Sequence, residues 1–203
     1  MTWKVAVHHR TAYVYGGEVR SSYNEARVTP LTTDRQLVLE ASVQVDPPAP
    51  TFRYWDYWGT MVDAFDIHVP HTELAVTGES VVETSPGPPA GDATWEELRR
   101  PDTWDRLTEF LAPTGYVPLV GEAAEAAREA ADGGSPADAC DAAVEWVRGR
   151  LRYEKGATNV STTADEALRI GGGVCQDFAH LTLAFLRAQG IPARYTSGYV
   201  FAS

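Results

Sequence analysis

The feature that most limits how this chain can fold is a change of hydrophobic period near its middle. From Trp3 to about Val82, apolar residues recur at every second position: Trp3, Val5 and Val7, then Leu37, Leu39, Ala41, Val43 and Val45, then Phe65, Ile67 and Val69. That spacing places them on one face of an extended strand. Turn-forming clusters separate the runs at Gly16-Gly17, Thr29-Pro30, Asp46 to Pro50, Trp58-Gly59-Thr60 and Pro70-His71. Short strands with frequent turns predict an antiparallel sandwich or barrel. Residues 84–93 are rich in proline and glycine, and beyond them the period becomes helical. The predicted class is α+β: an antiparallel β-sandwich domain over 1–83, a linker over 84–93 and a largely helical domain over 94–203.

Within the helical half, Thr94 followed by Glu97 forms a capping-box pattern. Thr103 is placed to cap a helix carrying Leu107, Phe110 and Leu111, which ends before Pro113. Residues 122–131 are alanine-rich with a weak apolar face, so this helix is expected on the surface. Ser135-Pro136 opens a helix to about Leu151, with Cys140, Ala143, Val144, Val147 and Leu151 as its apolar stripe. A short capped helix follows over 162–169. In the first half, Trp55, Tyr57 and Trp58 are expected to pack between sheets; a carbohydrate or peptide platform formed by Trp55 and Trp58 is the alternative. His8 and His9 point to opposite faces of a strand. His68 and His71 flank Pro70 without a carboxylate or cysteine at ligand spacing, so neither a metal site nor a cofactor is predicted.

The formal charge of −11 is spread evenly, −5 over residues 1–83 and −6 over 84–203. An even acidic surface argues against a nucleic-acid footprint or a polybasic membrane patch. The start carries no apolar signal core, and no segment is long and apolar enough to span a bilayer. Cys140 and Cys175 make no disulfide framework and fit a reducing compartment, so the expected location is cytoplasmic.

The chemistry concentrates in Gly171-Gly-Gly-Val-Cys-Gln-Asp-Phe-Ala-His180. Three glycines lead into Cys175, which opens a helical run stopped by Gly190 and Pro192. Phe178, Thr182, Phe185 and Gln189 share a face with Cys175, while Leu181, Ala184 and Ala188 lie on an adjacent one. A thiol at a helix N-terminus meets unpaired N–H groups and the positive end of the macrodipole, which favours thiolate. The glycines permit a tight turn and close approach of a substrate backbone. Asp177 stands where a carboxylate can cap the helix or orient its first turn. Cys140, in mid-helix with no activating group, is read as structural.

Residues 173–181 (Gly-Val-Cys-Gln-Asp-Phe-Ala-His-Leu) and 186–199 (Leu-Arg-Ala-Gln-Gly-Ile-Pro-Ala-Arg-Tyr-Thr-Ser-Gly-Tyr) closely resemble the catalytic core of the bacterial transglutaminase-like cysteine peptidase superfamily. Residues 22–31, the Asp56–Gly59 turn, and Pro70-His71 before Leu74 resemble the N-terminal domain that precedes that core. The family usually has asparagine after the turn glycine where this chain has Thr60, a change expected to weaken the turn slightly. The resemblance implies a papain-like or transglutaminase-like core over 94–203. Cys175 would be the nucleophile and, through its backbone N–H, an oxyanion donor. Gly173, Val174, Gln176 and Tyr153 would border a protein or peptide substrate, although Tyr153 and the loop to Ser161 read equally well as ordinary packing. Residues 193–201 would be a strand of the sheet on which the nucleophile helix packs.

In that family the triad histidine and aspartate come from the next two strands, and the sequence ends at Ser203. His180 cannot substitute, because five residues along a helix turn it about 140° away from the thiol. The expectation is a core truncated before those strands, inactive alone, with an unpaired sheet edge prone to self-association. The expected function is a cysteine-nucleophile amide or peptide hydrolase, or an acyltransferase, working through a Cys175 thioester. The alternative is a non-catalytic binding or scaffold protein that keeps the fold.

Overall fold

Period-two alternation becomes six antiparallel strands, and the helical period becomes a bundle around one central helix. The computed structural model describes residues 2–87, 91–130 and 134–200. The chain divides into two units, Met1–Pro88 and Pro89–Ser203. Residues 88–90 of the expected linker, Ala131 of the alanine-rich segment and Phe201 of the expected last strand lie outside the described residues.

The first unit holds β1 (Trp3–Val19), β2 (Ser22–Ala26), β3 (Gln36–Asp46), β4 (Thr51–Trp55), β5 (Met61–Ile67) and β6 (His71–Thr84). They form two open three-stranded sheets, β1-β6-β3 and β2-β5-β4, not a closed barrel. Ala26, Phe65 and Ile67 of one sheet meet Leu74, Val76, Val43 and Val45 of the other, which is the core of this unit. Under the second sheet the buried Asp63 carboxylate accepts from Arg53 Nε at 2.8 Å and Thr29 Oγ1 at 3.0 Å, so its charge is paired where water cannot reach it.

Four details differ from the sequence reading. The pairing of β3 with β6 slips between Val38 and Glu40. One extra residue there reverses which side chains face in: Ala41, Val43 and Val45 point inward, but Leu37 and Leu39 are exposed. Gly16-Gly17 is no turn between strands; it lies within β1, where the register shifts between Val14 and Val19. Trp55, Tyr57 and Trp58 do not fill the space between the sheets, since each is at least half exposed. They stand at the end of β4 and in the turn after it. In that turn the left-handed residue is Gly59, at φ 73°. Thr60 keeps negative φ and donates its N–H to Asp56 Oδ1 at 2.8 Å, so the positive φ that would favour asparagine is not required there.

The second unit holds α1 (Trp95–Leu98), α2 (Pro101–Leu111), α3 (Glu122–Ala130), α4 (Pro136–Arg150), β7 (Arg152–Tyr153), α5 (Ala164–Ile170), β8 (Gly172–Gly173) and α6 (Cys175–Ala188). Capping boxes Thr94/Glu97, Ser135/Asp138 and Thr163/Glu166 start α1, α4 and α5. α2 opens at Pro101 instead of after Thr103, because proline already has helical φ and lacks an N–H to leave orphaned. α6 is the hub, burying Leu181, Leu183, Ala184 and Phe185 on more than one side. Each large apolar side chain so buried contributes roughly 1.5–3 kcal/mol.

The alanine-rich α3 is not a surface helix. Ala123, Ala124 and Ala127 are fully buried, and Ala127 packs with Ala143 of α4 and Phe185 of α6. Small side chains make a weak hydrophobic stripe but let helices approach closely, and that approach supplies the packing. On α4 the buried stripe is Pro136, Ala139, Ala143 and Val147. Cys140 is half-buried at its margin, and Val144 is exposed.

After α6, Gly190 takes φ 79° and Arg187 holds the chain that follows. Its buried guanidinium donates to Ala193 O at 3.1 and 2.7 Å and to Ala112 O at 2.8 Å, while Ala193 N–H donates to Phe110 O at 2.9 Å. The expected strand over 193–201 is absent: residues 191–200 have no regular secondary structure. A strand needs a ladder partner, and no described segment pairs with this one. Among the described residues, no helix is long and apolar enough to cross a membrane.

Candidate active site

Cys175 is the first residue of α6, follows the N-cap Val174 and is exposed. Two short elements carry the chain to it. Gly171, at φ 72°, ends α5 in the left-handed conformation that glycine adopts without strain. Gly172-Gly173 then pairs in parallel with Arg152-Tyr153, with Tyr153 opposite Gly173 and Glu154 N–H donating to Gly173 O at 2.8 Å. Tyr153 is thereby fixed two residues from the cysteine in ladder register, and it is exposed.

Asp177 controls the first turn. Only 1 % exposed, it turns back so that Oδ2 accepts Val174 N–H at 2.7 Å and the Thr158 hydroxyl at 2.6 Å. Its Oδ1 is buried without a partner among the described residues. Gly173 makes room for it: a Cβ there would lie 2.5 Å from Asp177 Oδ2 and 2.7 Å from its Cβ and Cγ. The space left by that glycine is filled by a carboxylate of the same chain.

The amides of Asp177 and Phe178 donate to Val174 O at 2.9 and 3.2 Å. Among the described residues, those of Cys175 and Gln176 have no acceptor, so two N–H groups stand open beside an exposed thiol. Gln176 is partly exposed, and its Nε2 donates to Val160 O at 3.4 Å. Val160 belongs to a loop braced from within. Asn159 N–H donates to Thr162 Oγ1 at 3.0 Å, and Ser161 donates to Asn159 Oδ1 from N–H at 2.9 Å and from Oγ at 2.6 Å.

His180 is the one histidine of the second unit. Its ring is stacked on Tyr116 with centroids 5.5 Å apart and tilted against Tyr195 at 5.6 Å. Among the described residues its Nδ1 is buried without a partner, and no hydrogen bond joins it to the Cys175 thiol. Burial holds this imidazole below the usual histidine range, with Asp177 pulling weakly the other way. The Cys140 thiol is pushed up, first by burial and then by the neighbouring Asp141. Sequence reasoning put Asp177 in the first turn with Cys175 and left Tyr153 open between the cleft border and ordinary packing, but it missed Thr158. A hydroxyl nineteen residues before the carboxylate it binds leaves no mark on local spacing.

The chain belongs to the bacterial transglutaminase-like family. Residues 5–83 match the bacterial transglutaminase-like N-terminal region and residues 124–203 the transglutaminase-like superfamily. It is 46% identical over 199 residues to Uncharacterized protein ML0607 of Mycobacterium leprae, covering 98% of this chain and 71% of that protein. It is 35% identical over 225 residues to Uncharacterized protein Rv2569c of Mycobacterium tuberculosis, covering 98% of this chain and 66% of that protein. Among solved structures it resembles one described as a "Putative Cysteine Protease" from Cytophaga hutchinsonii, with TM-score 0.73 and 22% identity, over 95% of this chain and 67% of that one. At that identity the likeness speaks for the fold alone.

Proposed function

We propose that this chain carries the nucleophile half of a cysteine-dependent amide or peptide hydrolase. The observation behind the reading is the exposed Cys175 thiol at the first position of α6, beside the open amides of Cys175 and Gln176. Sγ attacks a carbonyl carbon, and the two N–H groups receive the oxygen as it gains charge. The C–N bond breaks, the amine leaves with a proton, and a thioester remains on Cys175. Water then attacks the thioester and returns the thiol. An amine acceptor in place of water would make the same intermediate an acyl donor; hydrolysis is preferred because the solved structure of like fold is described as a "Putative Cysteine Protease". Tyr153 and Gln176 flank the acyl position, and the substrate is a protein or peptide.

The proton-transfer imidazole is assigned outside the described residues of the second unit, since His180 is held between tyrosines. That no imidazole is hydrogen-bonded to the thiol among the described residues is also what favours the second reading, a scaffold that keeps the fold without the chemistry.

The full-length protein and its Cys175→Ala variant, assayed on a panel of peptidyl-aminocoumarin amides, decide between them. Loss of turnover by about a hundredfold or more supports the nucleophile. Retained turnover removes it. Iodoacetamide mapping gives a second check: Cys175 is expected to label well ahead of Cys140, and equal slow labelling would favour the scaffold.

A further inference from the structure

Asp177 is a buried carboxylate at the nucleophile's helix that takes no part in the steps above. It is not needed as a charge partner, because no cation reaches it among the described residues, and it is too deep to meet substrate. One oxygen does two tasks, holding Val174 N–H and the Thr158 hydroxyl, while the other is left without a donor. Leaving Oδ1 unpaired in the interior is costly, so the geometry of Oδ2 is what the fold retains. The Val174 bond fixes the peptide that immediately precedes the thiol. The Thr158 bond fixes the loop that borders it, and Gln176 adds a second tie to the same loop at Val160. Gly173 supplies the space that lets Asp177 fold back into this position.

We propose that Asp177 is a positioning residue, clamping the 154–162 loop and the first turn of α6 into one unit so that the thiol and the Cys175 and Gln176 amides face a carbonyl together. The assignment rests on the reading of Cys175 as nucleophile. It adds that alignment of thiol with amides, and not the thiol's presence or access, depends on the Asp177–Thr158 bond. Thr158 is the better residue to alter, since its removal breaks the clamp and leaves the Val174 cap in place.

The test compares two reagents on Cys175 in the full-length protein. Iodoacetamide needs only an accessible, ionised thiol, whereas a dialanyl chloromethyl ketone also presents a carbonyl whose oxygen must sit on the open amides. Thr158→Val and Thr158→Ala are expected to lower the ketone rate roughly tenfold or more while iodoacetamide stays within about twofold, and Thr158→Ser to restore the ketone rate. Melting curves of all three verify that each is folded at the assay temperature. A ketone-to-iodoacetamide ratio unchanged in both variants, an equal fall with both reagents, or failure of Thr158→Ser to rescue would overturn the clamp. If unaltered Cys175 prefers the ketone no more than free cysteine does, the nucleophile reading fails and the clamp falls with it.

Discussion

Replacing Gly173 with alanine tests the site on stability alone, without a substrate. Its φ lies outside the left-handed region, so alanine's backbone fits there, and the whole effect is one of space. The added methyl carbon would stand 2.5 Å from Asp177 Oδ2 and 2.7 Å from Asp177 Cβ and Cγ, below any real carbon contact. A rotamer change alone does not relieve it, because Asp177 Cβ is attached to the helix backbone. The carboxylate must leave Val174 N–H and Thr158, each a bond to a charged group worth about 1.5–3 kcal/mol, with part recovered if water reaches the displaced group. The expected net loss is about 3 kcal/mol. For a unit of this size that lowers the melting temperature by roughly 10 °C. Gly172→Ala is the control. There the nearest atom is Glu154 Oε2 at 3.2 Å, the end of a movable side chain, and the next is Arg152 O at 3.5 Å. That substitution is expected to cost less than about 1 kcal/mol. Calorimetry of both variants measures the difference. Equal stability of the two, or a larger loss at Gly172, would show that the Asp177 packing is not what requires glycine at 173.

Two further outcomes follow from the second unit. The His180 imidazole is held below its ordinary range by burial, so the unfolded chain takes up this proton first as pH falls. Stability from this group is full above about pH 6.5 and declines as pH falls from there toward the folded value. His180→Phe, which keeps a ring beside Tyr116, is expected to flatten the fall in melting temperature between pH 7 and pH 5; an unchanged gap from the parent across that range would refute the burial argument. Ala127→Leu forces a branched side chain between α3, α4 and Phe185 and is expected to destabilise by roughly 1–3 kcal/mol in urea unfolding. A neutral result would mean that α3 can lift away at no cost.

What could be read from the sequence was the part governed by neighbours along the chain. Thr94/Glu97, Ser135/Asp138 and Thr163/Glu166 are local bonds, and each starts a helix in the structure. Gly171 and Gly190 end helices with positive φ, and Cys175 stands at the first position of α6. What could not be read depended on distant partners. An extra residue at Leu39 reverses a strand's faces only because β6 fixes the pairing on both sides of it. The alanines of α3 are buried only because Phe185 and α4 come close enough to cover them. Gly173 looked like room for a ligand until the Asp177 side chain was seen to occupy it.

Arg187 has a mechanical consequence. Its guanidinium grips the carbonyls of Ala193 and Ala112 at once, and the Ala193 amide is tied to Phe110. A pull on residues 194–200 would therefore be borne by α2 and by the side chain of Arg187 before it reached the turn at Gly190. Beyond that anchor, the contact through which a displacement of the last described stretch would be felt toward the thiol is the Tyr195 ring against His180, 5.6 Å between centroids.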